Sequence, residues 1–244
     1  LDVTLSNATG QLAALNLAGP HSREALTGLT DIDLSPEAFP YLGVREGEVA
    51  GVRALVMRVG FVGELGYEVH VPAWQGAHVW QSIFAAGEPW GVRAFGVEAQ
   101  RLLRLEKGHL IVGHDTDALT HPYEAGLVWA IGKNKPFFVG QRSLQIYRKR
   151  ETKRVLVGVR WPDGFKGGLP EECHLILKDG RMVGRITSIA PVSTLGYALG
   201  MAFVEPDMAE PGTRIEVRLD DGAMSVAEVA ALPFYDRDDE RQGL

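Results

Sequence analysis

The stretch from Arg53 to Pro72, RALVMRVGFVGELGYEVHVP, constrains the fold more than any other part of the chain. Leu55, Met57, Val59 and Phe61 alternate with Val56, Arg58 and Gly60. After Gly63 and Gly66, Tyr67, Val69 and Val71 alternate with Glu68 and His70. Period two marks a strand with one buried face, because successive side chains leave a strand on opposite sides. Two such runs around a glycine turn make residues 53–71 a β-hairpin. Glu64 and Glu68 have the same parity, so they share a face unless the turn breaks it. Each is either a solvent-facing polar residue or a ligand-binding carboxylate, and the hairpin alone leaves both readings open.

The flanks extend this pattern. Residues 12–18, LAALNLA, suit a buried strand, and Gly19-Pro20 punctuates it. Ser22 is placed to cap a helix through about Leu29, with Ala25, Leu26 and Leu29 on one face. Residues 44–50 add another strand. Pro72 suits the first turn of a helix that runs to about Ala86, with Val79, Trp80, Ile83 and Phe84 as its apolar stripe and Gly87 as its stop. A second helix covers roughly 95–107, with Ala99, Leu102 and Leu103 inward and Gly108 after it. Helices set against antiparallel strands define an α+β layer.

Residues 140–150 read as a helix, and the run YRKRETKR, 147–154, reads as a solvated linker. Beyond it short strands recur at 155–160, 174–178, 182–189, 197–204 and 214–219. Asp179-Gly180 and Asp221-Gly222 supply hairpin signals. That is a small all-β sandwich or barrel. The expectation adopted is α+β: an antiparallel-sheet α/β sandwich layer over residues 1–150, then, of the two all-β options, a small C-terminal β-barrel over 151–244. The ending DRDDERQGL is polar and is expected to be mobile.

Composition narrows the function classes. The 244 residues carry a formal net charge of −6, which does not draw nucleic acid or anionic membranes. No apolar run reaches the ~20 residues that span a bilayer. One cysteine, Cys173, allows no internal disulfide, and its neighbourhood reads as a small core position in or near a barrel strand. A cytoplasmic location, without nucleic-acid or membrane partners, is the expectation. The chain opens LDVTLSNATG, without methionine and on a strand-like alternation. It is read as a piece of a longer chain.

GHLIVGHDTDALTH, residues 108–121, gathers His109, His114, Asp115, Asp117 and His121. Imidazole and carboxylate are zinc ligands, and a metal hydrolase using His109, His114 and Asp115 is one reading. The His-X-X-X-His spacing of a helical metal site is missing, and Asp and Thr are frequent loop residues, so the expectation is no metal. Neither a nucleophile elbow nor a phosphate-cradling lysine loop is present.

FVGELGYE, LLRLEKGHLIVGHDTD and GLVWAIGKNKPFFVGQRSL, in that order, resemble the tetrahydrofolate-binding aminomethyltransferase family, that of the glycine cleavage T-protein. GHDTD and the ending PFYDRDDERQ are similar to the C-terminal region of the sarcosine oxidase α subunit. The resemblance covers nearly the whole chain. It implies a module that binds tetrahydrofolate and accepts a one-carbon unit from amine oxidation, giving 5,10-methylenetetrahydrofolate. Flavin and NAD would lie elsewhere in the parent enzyme. The partners implied are folate, an upstream part of the same polypeptide and other oxidase subunits.

The family's pteridine-binding glutamate is the second of its motif, which matches Glu68. A pteridine presents a ring N–H and an exocyclic amine side by side, and a carboxylate accepts both. Phe61 stands where the motif usually has tyrosine, Gln100 where the T-protein branch has arginine, and His109 falls near another ligand position. The resemblance thus implies Glu68, Phe61, Gln100 and His109 as folate-binding residues. The family's catalytic aspartate belongs to a segment upstream of the matched region, so no catalytic residue is nominated. The changes at Phe61 and Gln100 also fit a second reading: a non-catalytic folate-fold interaction module of a larger complex.

Overall fold

The computed structural model describes residues 2–243. The chain divides into two compact units: residues 1–103 with 238–244, and residues 104–237.

The first unit is built on a four-stranded antiparallel sheet. Its strands are β1 (Leu12–Ala18), β2 (Val44–Val49), β3 (Val52–Met57) and β4 (Gly66–Pro72), in the order β1-β4-β3-β2. Helices α1 (Ser22–Thr27) and α2 (Gly76–Gly87) contribute Ala25, Leu26, Val79 and Ile83 to one core with the sheet's inner face. The hairpin expectation holds: β3 and β4 pair antiparallel, with Val56 opposite Val69 and Met57 opposite Glu68. Tyr67, Val69 and Val71 are fully buried. Gly63 takes a positive φ of 81° in the connection. A Cβ on Gly66 would meet the Val59 carbonyl oxygen at 2.7 Å, so the returning chain needs glycine there.

Several expectations change. On β3 the buried face is Val52, Ala54 and Val56, whereas Leu55 is exposed. Both parities of this strand are largely apolar, so alternation cannot choose between them. The register does, by placing Leu55 and Met57 beside His70 and Glu68. β1 is an edge strand in which Leu17 alone is buried, because nothing among the described residues pairs with its outer side. Ser22 lies inside α1 and does not cap it. Its hydroxyl donates to the Leu65 carbonyl at 3.0 Å instead. The opening residues Asp2–Ala8 form no strand.

The polar ending is also bound in. Gln242 is buried, and its Nε2 donates to the Tyr41 hydroxyl at 2.6 Å and to the Gly60 carbonyl at 2.8 Å. Arg58, likewise buried, donates to the Phe39 carbonyl at 2.8 Å and the Gly243 carbonyl at 3.2 Å. Burial pushes the Arg58 guanidinium below its usual value. Polarity signals a mobile end only when its polar groups face water, and here they meet backbone carbonyls.

Helix α3 (Val97–Glu106) runs across the division between the units, and α4 (Gln141–Arg148) lies in the second. The second unit is a closed antiparallel barrel of six strands. They are β5 (Val155–Arg160), β6 (Leu175–Lys178), β7 (Arg181–Ala190), β8 (Leu199–Val204), β9 (Arg214–Arg218) and β10 (Met224–Ala230), in the order β10-β5-β8-β7-β6-β9. Closure leaves no free edge. Val159, Trp161, Ile176, Ile186, Val217 and Val229 fill its centre. Asp179 and Gly180, with φ of 52° and 76°, make the two-residue turn between β6 and β7. β10 was not expected, although MSVAEVA alternates as a half-buried strand should. Cys173 is exposed and holds a φ of 70° in the turn before β6, so it is not a core residue.

Candidate functional site

Glu68 lies on the outer face of the first unit's sheet. Its neighbours across the strands are Asn16 on β1 and Met57 on β3. His70, two residues on, shares that face and sits between Ala14 and Leu55. Opposite residues of an antiparallel pair lie on one side of the sheet. The result is a shallow polar row, Asn16, Glu68 and His70, bordered by Met57 and Leu55. The Glu68 side chain is 40% exposed, and its Oε2 lies 3.3 Å from His70 Nε2. Glu64 is not part of this row. It lies in the connection between β3 and β4, 3.9 Å from Arg241, so the two glutamates of the motif have different surroundings.

A cavity of about 480 Å³ opens along the free edge of β1. Asn16, Ile83, Phe84, Trp90, Phe95 and Gln100 are among its walls, and His21 stacks on Trp90 at 4.8 Å. That size suits a small organic ligand, and so do aromatic walls with a few polar groups. Asn16 belongs both to this cavity and to the polar row. Its Oδ1 is buried without a hydrogen-bond partner among the described residues.

Each of the four residues implied as folate ligands has its own place in the fold. Gln100, on α3, lines the cavity. Glu68 and Phe61 are not among its walls; Phe61 sits half-buried in the connection between β3 and β4. His109 belongs to the second unit, where its backbone N–H donates to the Arg104 carbonyl at 2.8 Å. From the sequence His70 shares the polar side of its strand with Glu68 but is given no role, and Asn16 is not named; what brings the two beside Glu68 is the fold. Their signal is cross-strand register, which a single sequence does not display.

The His/Asp segment of the second unit does different work at each residue. Asp115 is fully buried and accepts from Arg104 Nη1 at 2.7 Å, Thr187 Oγ1 at 2.8 Å, Ser188 Oγ at 2.5 Å and the Ile111 N–H at 2.7 Å. A β-bulge at Thr187 turns two consecutive hydroxyls onto the same carboxylate. Asp117 is held by Arg154 at 3.0 Å, and that guanidinium keeps its carboxyl well below the usual range. Arg154 also meets Glu124 at 3.2 Å and lies over the Phe203 ring at 4.8 Å, so it is not part of a solvated linker. His114 contacts Glu172 at 3.1 Å, and His121 contacts Glu124 at 3.6 Å and packs on Tyr147. Among the described residues no three His, Cys, Asp or Glu side chains converge on one point suited to a metal.

The LLRLEKGH motif is explained in the same unit. Besides Arg104, the buried Glu106 accepts the Thr194 N–H at 2.6 Å and the Thr194 hydroxyl at 2.7 Å. Lys107 pairs with Asp236 at 2.9 Å, both side chains nearly fully buried. Three successive charged residues are buried and partnered, which is the condition under which such burial is tolerated.

Comparison with known proteins places this architecture. A family model described as the GCVT N-terminal domain matches residues 1–135, and one described as the glycine cleavage T-protein C-terminal barrel domain matches residues 154–236. The chain belongs to the glycine cleavage T-protein family. It is 35% identical over 229 residues to an aminomethyltransferase of Halothermothrix orenii, covering 93% of this chain and 62% of that protein. It is 32% identical over 252 residues to a sarcosine oxidase subunit alpha of Corynebacterium, covering 99% of this chain and 26% of that protein. The chain thus spans less than two thirds of the length of either relative. The fold matches the crystal structure of the glycine cleavage system aminomethyltransferase T from Bartonella henselae with a TM-score of 0.78 at 24% identity, over 92% of this chain and 60% of that one. The expected α+β layer followed by a barrel is the observed fold.

Proposed function

We propose that this chain is the folate-binding part of a one-carbon transfer enzyme, with Glu68 as the anchor of the pteridine. Family membership supports the reaction class. The observation that carries the role of Glu68 is its setting: a half-exposed carboxylate on an open sheet face, with His70 as its one hydrogen-bond partner among the described residues. An ionised carboxylate has about four acceptor positions. Most of them are therefore available to two parallel N–H donors. Met57 and Leu55 give a flat ring an apolar border, and Gln100 belongs to a cavity large enough for the rest of such a ligand. Bound tetrahydrofolate would supply the nitrogen that takes the one-carbon unit, and the chain's own contribution is to bind and orient it. Similarity to the sarcosine oxidase subunit supports amine oxidation as the source of that unit, within a larger complex.

Glu68→Gln tests the reading. Glutamine keeps the shape but offers one acceptor oxygen where the carboxylate offers two. Titration of the full-length protein with 5-formyltetrahydrofolate, followed by calorimetry, should show affinity weakened by about 30-fold or more, since hydrogen bonds to a charged group are worth about 1.5–3 kcal/mol. Unchanged affinity would remove Glu68 from the site. No saturable binding by the wild type would favour a non-catalytic interaction module.

A further inference from the structure

We infer that His70 is a positioning residue for Glu68: its imidazole N–H fixes one carboxylate oxygen and so sets the direction in which the other acceptor positions point. The identity of the ligand rests on the folate reading above, but the pairing itself does not. β4 projects both side chains from the same face, two residues apart, and the Nε2 to Oε2 separation is 3.3 Å. His70 is the less exposed of the two, at 22% against 40%. The less exposed member can thus act as the fixed point.

The strands on either side leave the imidazole no better partner. Ala14 faces it from β1 and Leu55 from β3, and neither side chain has a polar group. Besides Glu48, opposite Arg53 on β2, the charged residues on this face of the neighbouring strands are Arg53, next in parity to Leu55, and Glu46, opposite Leu55 on β2. These two pair with each other at 3.0 Å. The remaining neighbours of Glu68 are Met57, which cannot donate, and Asn16, which makes no hydrogen bond to it.

A half-exposed glutamate otherwise samples several rotamers. Ordering a long side chain on binding costs conformational entropy. A residue that imposes the order before binding removes that cost from binding. The arrangement requires the hydrogen on Nε2, because a carboxylate can only accept. It leaves Nδ1 as the acceptor nitrogen of the neutral ring. His70 touches no ligand in this scheme; it acts through Glu68.

Two measurements on the full-length protein test this. The first follows 15N-labelled histidine by NMR at about pH 8, above the ordinary histidine range near 6.5. His70 is expected in the Nε2–H tautomer, and Glu68→Ala should return it to a mixture of tautomers. A tautomer indifferent to Glu68→Ala overturns the inference. The second measures 5-formyltetrahydrofolate affinity. His70→Leu should weaken it about tenfold, whereas His70→Gln, which keeps an N–H at similar reach, should stay within about threefold of wild type. If Glu68→Ala loses affinity and His70→Leu does not, the positioning role falls and the folate reading stands. If neither variant changes affinity, or the wild type does not bind, the folate reading falls, and the tautomer measurement alone decides the role of His70.

Discussion

Tyr67 shows how tightly the residues of the FVGELGYE motif are divided between packing and presentation. Its ring is fully buried and lies 5.9 Å from that of Phe39. Its hydroxyl has no hydrogen-bond partner among the described residues. Leaving a buried polar group unpaired costs about 1–3 kcal/mol. Tyr67→Phe should therefore be neutral or stabilising by about 1 kcal/mol, read as an equal or higher midpoint in urea. A clear drop would mean that the hydroxyl has a partner and the motif a second polar role. The next residue, Glu68, faces the other way. One step along the strand separates a side chain buried in the core from one left on the outer face. This parity was legible in the sequence of β4, because its inner positions are Tyr and Val and its outer ones Glu and His. On β3 it was not legible, because Leu55 and Val56 are equally apolar.

Among the elements, the segment that holds Asp115 and Asp117 carries the clearest pH dependence. Asp117 has its carboxyl lowered first by its hydrogen bonds to Arg154, then by Thr120. A carboxyl whose folded value lies below its unfolded value of 3.8 adds stability above that value, and this share is lost as pH falls towards the folded value. Acid unfolding of the wild type should therefore show a component below about pH 4 that Asp117→Asn removes. Equal acid slopes for the two proteins would contradict it. The share is modest, because the Asp117 side chain is 40% exposed and solvent screens it. None of this pairing was visible beforehand. GHDTD shows an acidic loop, but Arg154, Thr187 and Ser188 reach it from 37 or more residues away. A linker and a metal cluster were reasonable readings of charges whose partners lie elsewhere in the chain. The barrel strands were legible because their signals are local: alternation, and Asp-Gly at the turns.

For the whole molecule, the outline survives the passage from sequence to structure better than its seams do. A sheet with helices followed by a small all-β module was apparent from periodicity. The residues that close each unit were not, and Gln242 is the plainest case. Its amide joins the Tyr41 hydroxyl to the Gly60 carbonyl, beside the connection that leads to Glu68. Gln242→Ala should destabilise the first unit by about 1–3 kcal/mol, through two lost hydrogen bonds and a carbonyl left without one. Urea unfolding followed by Trp80 or Trp90 fluorescence would report it. An unchanged midpoint would show that the contact is incidental. The return of residues 238–244 to the first unit has a consequence for biosynthesis. A chain made from its amino end has β1 to β4 outside the ribosome well before Gln242 is translated. The Gly60 carbonyl then stays without its Gln242 partner until all six barrel strands have been made. The final locking of the first unit is a late event that follows synthesis of the second unit.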